Sequence, residues 1–469
     1  MARSNLHIIA ILFLLLQGCI ALVPKQPPIM VPKTMRNGTK VVTYTPSSQQ
    51  TAWWKQMHDP VLNRLIRRAL AKNNQIQTAR ATIAQAQAQL QAAQFTWLPT
   101  LQANGNGFTG SGWDSHVRPE GPLANSRALG AISQIHFNGH FVGFSPKYSL
   151  NILDNIYQNR YAEAALAVQK AQYRATRISI ISQVSSAYFM LLGQREELKE
   201  QRQYVHDLKK LRQLEQSRYQ HGASDATSMT DLDRQIDVYT TNLSSLKNSI
   251  AQVENALQIL LDANPGPLAK YGNVKRLPTH LIPANVPSVV LKQRPDIMAA
   301  EQNLKMAEAD VGSAYANFFP MISLTNLVGA SSLELIHLLK LSTPLWILQG
   351  SIGIPVLNGV SYAQIKEAKA GYLAAYYTYM QTLRSAFADV DNSLTNQQKM
   401  NAIYLSQFKA RKNAKKYYNL ALARYQAGAK DYREVLNAKL SVDTANLNLT
   451  LAKMQQLDSI VEVYQSLAM

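Results

Sequence analysis

Few residues in this chain have the types and spacing that chemistry needs. Gly105-x-Gly107-x-x-Gly110 matches the dinucleotide-binding turn, but that turn requires a helix N-terminus directly after the glycines to receive the pyrophosphate. More Gly, Ser and Pro follow instead, and the segment reads as a loop. The nine histidines show no metal-ligand spacing such as His-Glu-x-x-His. Gly110-Ser111-Gly112 lacks the nucleophile-elbow pattern that presents a reactive serine. The sequence therefore predicts no catalytic residue, no cofactor and no metal. What remains is one cysteine, Cys19, and two small sets of glycine, tyrosine and polar residues. The first set is Tyr219, Gly222, Asp225, Thr227, Ser228 and Asp231; the second is Tyr425, Gly428, Asp431, Arg433, Glu434 and Asn437.

The two sets belong to a duplication. Arg218-Tyr219-Gln220-His221-Gly222-Ala223-Ser224-Asp225 returns as Arg424-Tyr425-Gln426-Ala427-Gly428-Ala429-Lys430-Asp431. Upstream, an Ala-rich run ending in Trp97-Leu98-Pro99 is matched by one ending in Phe318-Phe319-Pro320. A unit of about two hundred residues given twice implies two similar halves related by pseudo-symmetry, not a short-period solenoid.

Each half reads as helix, β-hairpin, long helical hairpin. In the first half, 51–262, a helical pattern from Pro60 to Leu98 is stopped by Pro99. Two strands around a polar loop follow over 99–153, then helices over 154–262 about the Gly222 turn. A Pro-rich connector covers 263–292. The second half, 293–469, has a β-hairpin over 320–358 and helices over 361–467 about the Gly428 turn. A helix of about sixty residues is on the order of 100 Å long. Tyr372, Tyr376, Tyr379, Leu383, Phe387, Val390 and Leu394 step by four and three, as do Leu447, Leu451, Met454, Leu457, Val461 and Tyr464, which is the seam of a coiled coil. Within these hairpins Gly222 and Gly428 supply positive φ at the turns. Asp225 and Asp431 cap the returning helices, and Tyr219 and Tyr425 pack the tips.

The N-terminus gives an address. Arg3 precedes an apolar run from Ile8 to Leu16, too short for a spanning helix and typical of a secretory signal over 1–18. Leu16-Gln17-Gly18-Cys19 follows, and it is similar to the bacterial lipobox, whose cysteine is lipidated. Residues 19–50 then read as a lipidated tether rich in Pro, Thr, Ser and Gln. Ile20 in place of Asp after the cysteine points to the outer membrane. Past the signal, no apolar run reaches about eighteen residues, so a membrane crossing must use strands closed into a barrel. The formal charge of +19 suggests nucleic acid in a cytosolic protein. In an exported chain it suggests instead lipopolysaccharide phosphates or an anion-preferring lumen.

These features together resemble the outer-membrane efflux channels, the TolC-like proteins, and within them the lipoprotein subgroup containing OprM and the NodT-like factors. The resemblance covers about residues 50–467. Its most specific segment is Gln293-Arg294-Pro295-Asp296-Ile297 leading through an Ala-rich helix to Phe319-Pro320. Tyr425-x-x-Gly428 with Val435-Leu436-Asn437-Ala438 is the second, and Ile354-Pro355-Val356-Leu357-Asn358-Gly359 looks like a strand exit. Asn151-Ile152-Leu153-Asp154-Asn155 departs from the pattern, which predicts a differently shaped first strand-to-helix junction. Asn437 stands where the family often has Asp.

The resemblance implies a mainly α fold with a membrane β-barrel contribution. Long antiparallel coiled-coil hairpins and four strands per protomer would build a trimeric twelve-stranded barrel continuing into a periplasmic α-barrel. It implies a passive outer-membrane exit duct, partnered by a periplasmic membrane-fusion adaptor and an inner-membrane RND-type pump. By the same resemblance, Arg433, Glu434 and Asn437, with Thr227, Ser228 and Asp231, ring the periplasmic aperture. Tyr219, Gly222, Asp225, Tyr425, Gly428 and Asp431 form the tips that dock the adaptor. Two other readings stand beside this one: an exit duct for type I secretion or ATP-driven export, and a non-conducting coiled-coil lipoprotein.

Overall fold

The computed structural model describes residues 41–42, 50–114, 133–279, 286–287, 293–332, 344–355 and 357–469. The signal segment 1–18, Cys19, most of the tether and part of the Pro-rich connector lie outside the described residues. The chain divides into two compact units, one built from 87–164 and 305–374 and the other from 25–86, 165–304 and 375–469, apart from the N-terminal stretch.

In chain order the elements are β1 (Val41–Val42), α1 (Pro60–Lys72), α2 (Asn74–Phe95), β2 (Thr100–Asp114), β3 (Ser133–Leu150), α3 (Ile152–Gln220) and α4 (Ala226–Leu260). Then come β4 (Val286–Pro287), α5 (Pro295–Ala316), β5 (Met321–Ser332), β6 (Pro344–Gly353), α6 (Gly359–Gln426) and α7 (Tyr432–Ser466). Both halves give helix, hairpin and long helical hairpin. The helix expected over 60–98 is two helices. Asn73 is extended and its Oδ1 accepts from the Gln75 and Ile76 N–H groups, so it ends α1 and caps α2. A 3₁₀ segment, Gln50–Met57, precedes them.

The first unit holds one antiparallel sheet in the order β2-β3-β5-β6. Its register sorts side chains by period two. On one face Phe144 opposes Val328 and Val328 opposes Trp346, while Leu150 opposes Ile322 and Ile322 opposes Ile352. On the other face Lys147 opposes Thr325 and Thr325 opposes Gln349. There Ser323 and Ser351 exchange a 2.6 Å hydroxyl contact. Trp346, Leu348 and Ile352 are 75%, 66% and 68% exposed, so the apolar face is uncovered within one chain. Among the described residues, the edges β2 and β6 carry no further strand. Despite the sequence departure at 151–155, the two strand-to-helix junctions are alike. Asn151 Oδ1 accepts from the Asp154 N–H at 3.1 Å, and Asn358 Oδ1 from the Ser361 N–H at 3.1 Å. A capping Asn is all the geometry needs there.

The second unit is helical and has its own core. Asp59 caps α1 by accepting from the Val61 and Leu62 N–H groups, with Pro60 in the first turn. Leu62, Leu65, Ile66 and Ala69, at helical spacing, are buried. Trp53, fully buried, stacks on Tyr464 with ring centroids 4.8 Å apart. Tyr188 and Phe189 fill the centre, and the Tyr188 hydroxyl donates to Asp59 while accepting from the Gly272 N–H. Full burial of side chains of this size is worth about 1.5–3 kcal/mol each.

The coiled-coil reading holds for part of α6 and fails for part of α7. Tyr379, Leu383, Val390 and Leu394 are buried, as are Leu457, Val461 and Tyr464. Leu451 is exposed, while Thr450, Lys453 and Gln456 are buried. The cause is the connector, which packs on the polar side of α7. Lys453 Nζ donates to the Leu277 carbonyl at 2.6 Å, and Gln456 Nε2 to the Thr279 carbonyl at 3.0 Å.

Candidate functional site

Both tips close in the same way. Gly222 and Gly428 take φ of +73° and +71°, the left-handed region that glycine enters without strain. The Gly222 N–H reaches the Tyr219 carbonyl and the Ala223 N–H the Arg218 carbonyl; Gly428 to Tyr425 and Ala429 to Arg424 repeat the pair. This is the Schellman closure of α3 and α6. Each returning helix is then capped by an acid: Asp225 Oδ1 accepts from the Ser228 N–H, and Asp431 Oδ1 from the Arg433 N–H.

The tyrosines do not pack the tips as the sequence suggested. Tyr219 is 47% exposed and Tyr425 is 42% exposed, its ring centroid 5.1 Å from that of Tyr432. An apolar cluster lies further from the turn, where Tyr204, Leu208, Leu211, Leu232 and Leu436 are buried together.

Polar contacts tie the first hairpin to the second. Glu215, 1% exposed, receives the Ser224 hydroxyl at 2.7 Å and lies 2.8 Å from Arg433 Nε. The Arg433 contact is ionic and not an aligned hydrogen bond, since Glu215 Oε1 accepts none. Arg218 pairs with Asp431. Arg433 is thus engaged by its own chain, and Glu434 by Lys430 at 3.4 Å. Asn437 is exposed, as are Thr227 and Asp231; Ser228 is half-buried. Asp231 pairs with Arg234 at 2.8 Å.

A second layer, missed in the sequence, sits behind the tip. Lys439 lies 3.1 Å from Asp207 and also contacts Asp443. Burial pushes Asp443 up to about 6, opposed by Lys439 and reinforced by Asp207. Burial also raises Asp207, but hydrogen bonds from Gln203 and Lys439 outweigh it and hold that carboxyl below its usual range. Charge at the two acids is thus split unevenly around one ammonium. The i, i+4 spacing of Lys439 and Asp443 is the one signal the sequence offered.

Away from the tips, Arg294 of the Arg-Pro-Asp segment is buried and fully used. Nε and Nη2 hold Asp296 at 3.1 and 2.7 Å, and Nη2 also reaches Asp389 at 3.1 Å. Nη1 donates to the Ala386 and Ser466 carbonyls at 3.3 and 2.6 Å. Five contacts match the five N–H groups of the guanidinium.

The first unit thus holds a sheet with one apolar and one polar face, and the second holds paired helical hairpins closed by glycine turns. Residues 65–262 and 286–469 match the family described as outer membrane efflux protein, and the chain belongs to that family. It is 28% identical over 466 residues to the probable outer membrane lipoprotein SilC of Salmonella typhimurium, covering 98% of this chain and 97% of that one. It is also 28% identical to the cation efflux system protein CusC of Escherichia coli strain K12, covering 92% and 91%. The open-state MtrE outer membrane channel of Neisseria gonorrhoeae superposes with a TM-score of 0.79 at 26% identity, covering 95% and 97%. The chain is an outer-membrane efflux channel of the tripartite type, and family members are trimeric ducts working with adaptors and inner-membrane pumps.

Proposed function

We propose that three copies of this chain close a twelve-stranded barrel, lined by the Lys147, Thr325 and Gln349 face, and that small solutes leave the cell through it. The observation that carries this is the two-faced sheet. Its uncovered Trp346, Leu348 and Ile352 face suits lipid, and its open β2 and β6 edges need strand partners there. The duct receives solute from a periplasmic adaptor and an RND-type pump. The cations named for CusC are one class of solute it would pass.

Arg433, Glu434 and Asn437, with Thr227, Ser228 and Asp231, line the periplasmic aperture. The Glu215–Arg433 and Arg218–Asp431 contacts hold it shut. The exposed Tyr219 and Tyr425 rings beside Gly222 and Gly428 offer the adaptor its first contact. Residues 1–18 are removed on export and Cys19 is lipidated, tethering the chain to the outer membrane. The test is reconstitution. Purified protein in detergent should have the mass of a trimer, and planar bilayers should show discrete conductance steps. A monomer that passes no ions would end this reading.

A further inference from the structure

Within the helical unit the distal helices stand in a row. Arg212 of α3 meets Asp233 of α4 at 3.0 Å, and Glu215 of α3 meets Arg433 of α7 at 2.8 Å. Arg411 of α6 donates to Asn446 of α7 at 2.8 Å. The order is therefore α4, α3, α7, α6, with α4 and α6 at the two edges. On α4, Leu232, Ile236 and Tyr239 pack toward α3. Helical spacing then puts Asp237, Val238, Thr241 and Ser245 on the far side, and all four are exposed. On α6 the half-buried stripe runs through Gln407, Arg411, Ala414 and Tyr418. Its far side holds Leu405, Lys409, Lys412 and Lys416, again exposed.

The two edges differ in charge. Residues 392–430, the distal part of α6 and its turn, contain eight bases and no acid. Lys409, Lys412 and Lys416 form no ion pair among the described residues, and they repel one another at their spacings of three and four. On the α4 edge Asp237 forms no ion pair among the described residues either. Arg234, on the same α4 face, is already held by Asp231 at 2.8 Å.

The heights match as well. Asp237 lies fifteen residues from Gly222, while Lys412 and Lys416 lie sixteen and twelve from Gly428. At 1.5 Å per residue all three stand about 18–24 Å from a turn. The two turns of one chain are level, because Arg218 beside Gly222 pairs with Asp431 beside Gly428. Rotation about a common axis preserves height, so Asp237 of one copy comes level with Lys412 and Lys416 of the next.

We infer that the helical hairpins of adjacent copies meet along a charged seam, the α6 edge of one against the α4 edge of the next, with Asp237 between Lys412 and Lys416. This rests on the duct reading above, which needs three copies but leaves open which helix faces meet. Unlike edges favour head-to-tail contacts that close into a ring, whereas two α6 edges would repel. Val238 and Leu405 leave water in the same seam. The pairing strengthens at low salt and fades as the Debye length shrinks.

The experiment is disulfide trapping in the full-length channel in detergent. Ser245 and Leu405 are each twenty-three residues from their turns, on opposite edges of one chain. S245C/L405C should therefore give covalent dimers and trimers on oxidation, and either single variant should give none. Adding D237K should slow trapping on the order of tenfold at about 50 mM salt, and less at about 300 mM. Adding K412E and K416E to D237K should restore most of the rate, because the charges are exchanged and not removed. A trimeric, conducting channel in which S245C/L405C traps no neighbour would overturn the seam and leave the α6 face to another partner. Trapping that ignores D237K, or that the exchange fails to restore, would overturn the charge pairing. Wild-type protein that is neither trimeric nor conducting would instead sink the duct reading and the seam with it.

Discussion

Arg433 Nε lies 2.8 Å from a carboxylate oxygen of Glu215, a side chain 1% exposed, so a cation from the second repeat rests on a buried acid of the first. Thr227 occupies the equivalent place in the first copy, so the duplication has been broken here to create the pair. The Arg433 end is nearly half exposed, which keeps the contact weak. Such a contact is worth about 0–1 kcal/mol, weak enough for the proposed partner to open.

R433A is therefore expected to raise the conductance of the isolated channel and lengthen its open events. E215Q should do the same, and the double variant should add little to either, because both remove one contact. Single-channel recording checks this; unchanged conductance in all three variants would place the constriction elsewhere.

Asp443 gives the tip a pH dependence. Its folded carboxyl keeps a proton up to about 6, well above the ordinary 3.8. The folded state therefore binds the extra proton, and stability from this site is greatest below about pH 4 and falls as pH rises through about 6. The shift corresponds to about 3 kcal/mol at most. D443N should thus gain thermal stability over wild type as pH goes from about 4 to about 7. Trimer melting curves at several pH values measure the difference; a gap that is constant with pH counts against the assignment.

The turn residues predict small, additive losses. D225A and D431A should each cost about 1 kcal/mol through the lost cap. G222A and G428A should each cost about 1–2 kcal/mol, since φ near +70° is unfavourable for any residue with a Cβ. Nothing lies within 4 Å of a Cβ at either glycine, so the loss comes from backbone strain and not from a clash. Hydrogen exchange at the tips would read both.

The sheet predicts opposite outcomes for its two faces. L348R, on the apolar face, should cost about 2–4 kcal/mol in a bilayer and impair assembly. K147E, on the polar face, should leave assembly intact and shift the reversal potential in a salt gradient toward cations. An assembly defect in K147E, or none in L348R, would exchange the faces.

Much of this was legible because the signals are local. Gly followed three residues later by Asp marks both tips, and Pro99 and Pro320 mark both strand starts. The paired faces of β5 and β6 follow from period two. What was hidden depends on contacts distant in sequence. Glu215 and Arg433 lie 218 residues apart, and no spacing rule joins them. Leu451 fits the heptad yet is exposed, because the connector buries Lys453 and Gln456 on the other side of α7. The tyrosine rings fit a packing role in composition, but the apolar cluster ends before the turn.

Arg294 has spent every hydrogen it owns on Asp296, Asp389 and two carbonyls, one of them in the last turn of α7. A side chain so committed has nothing left to trade with a substrate, and the helix end it grips has little freedom to wander. Arg433, nearly half exposed, stands at the opposite end of the same helix, so the two ends of α7 are held to very different degrees.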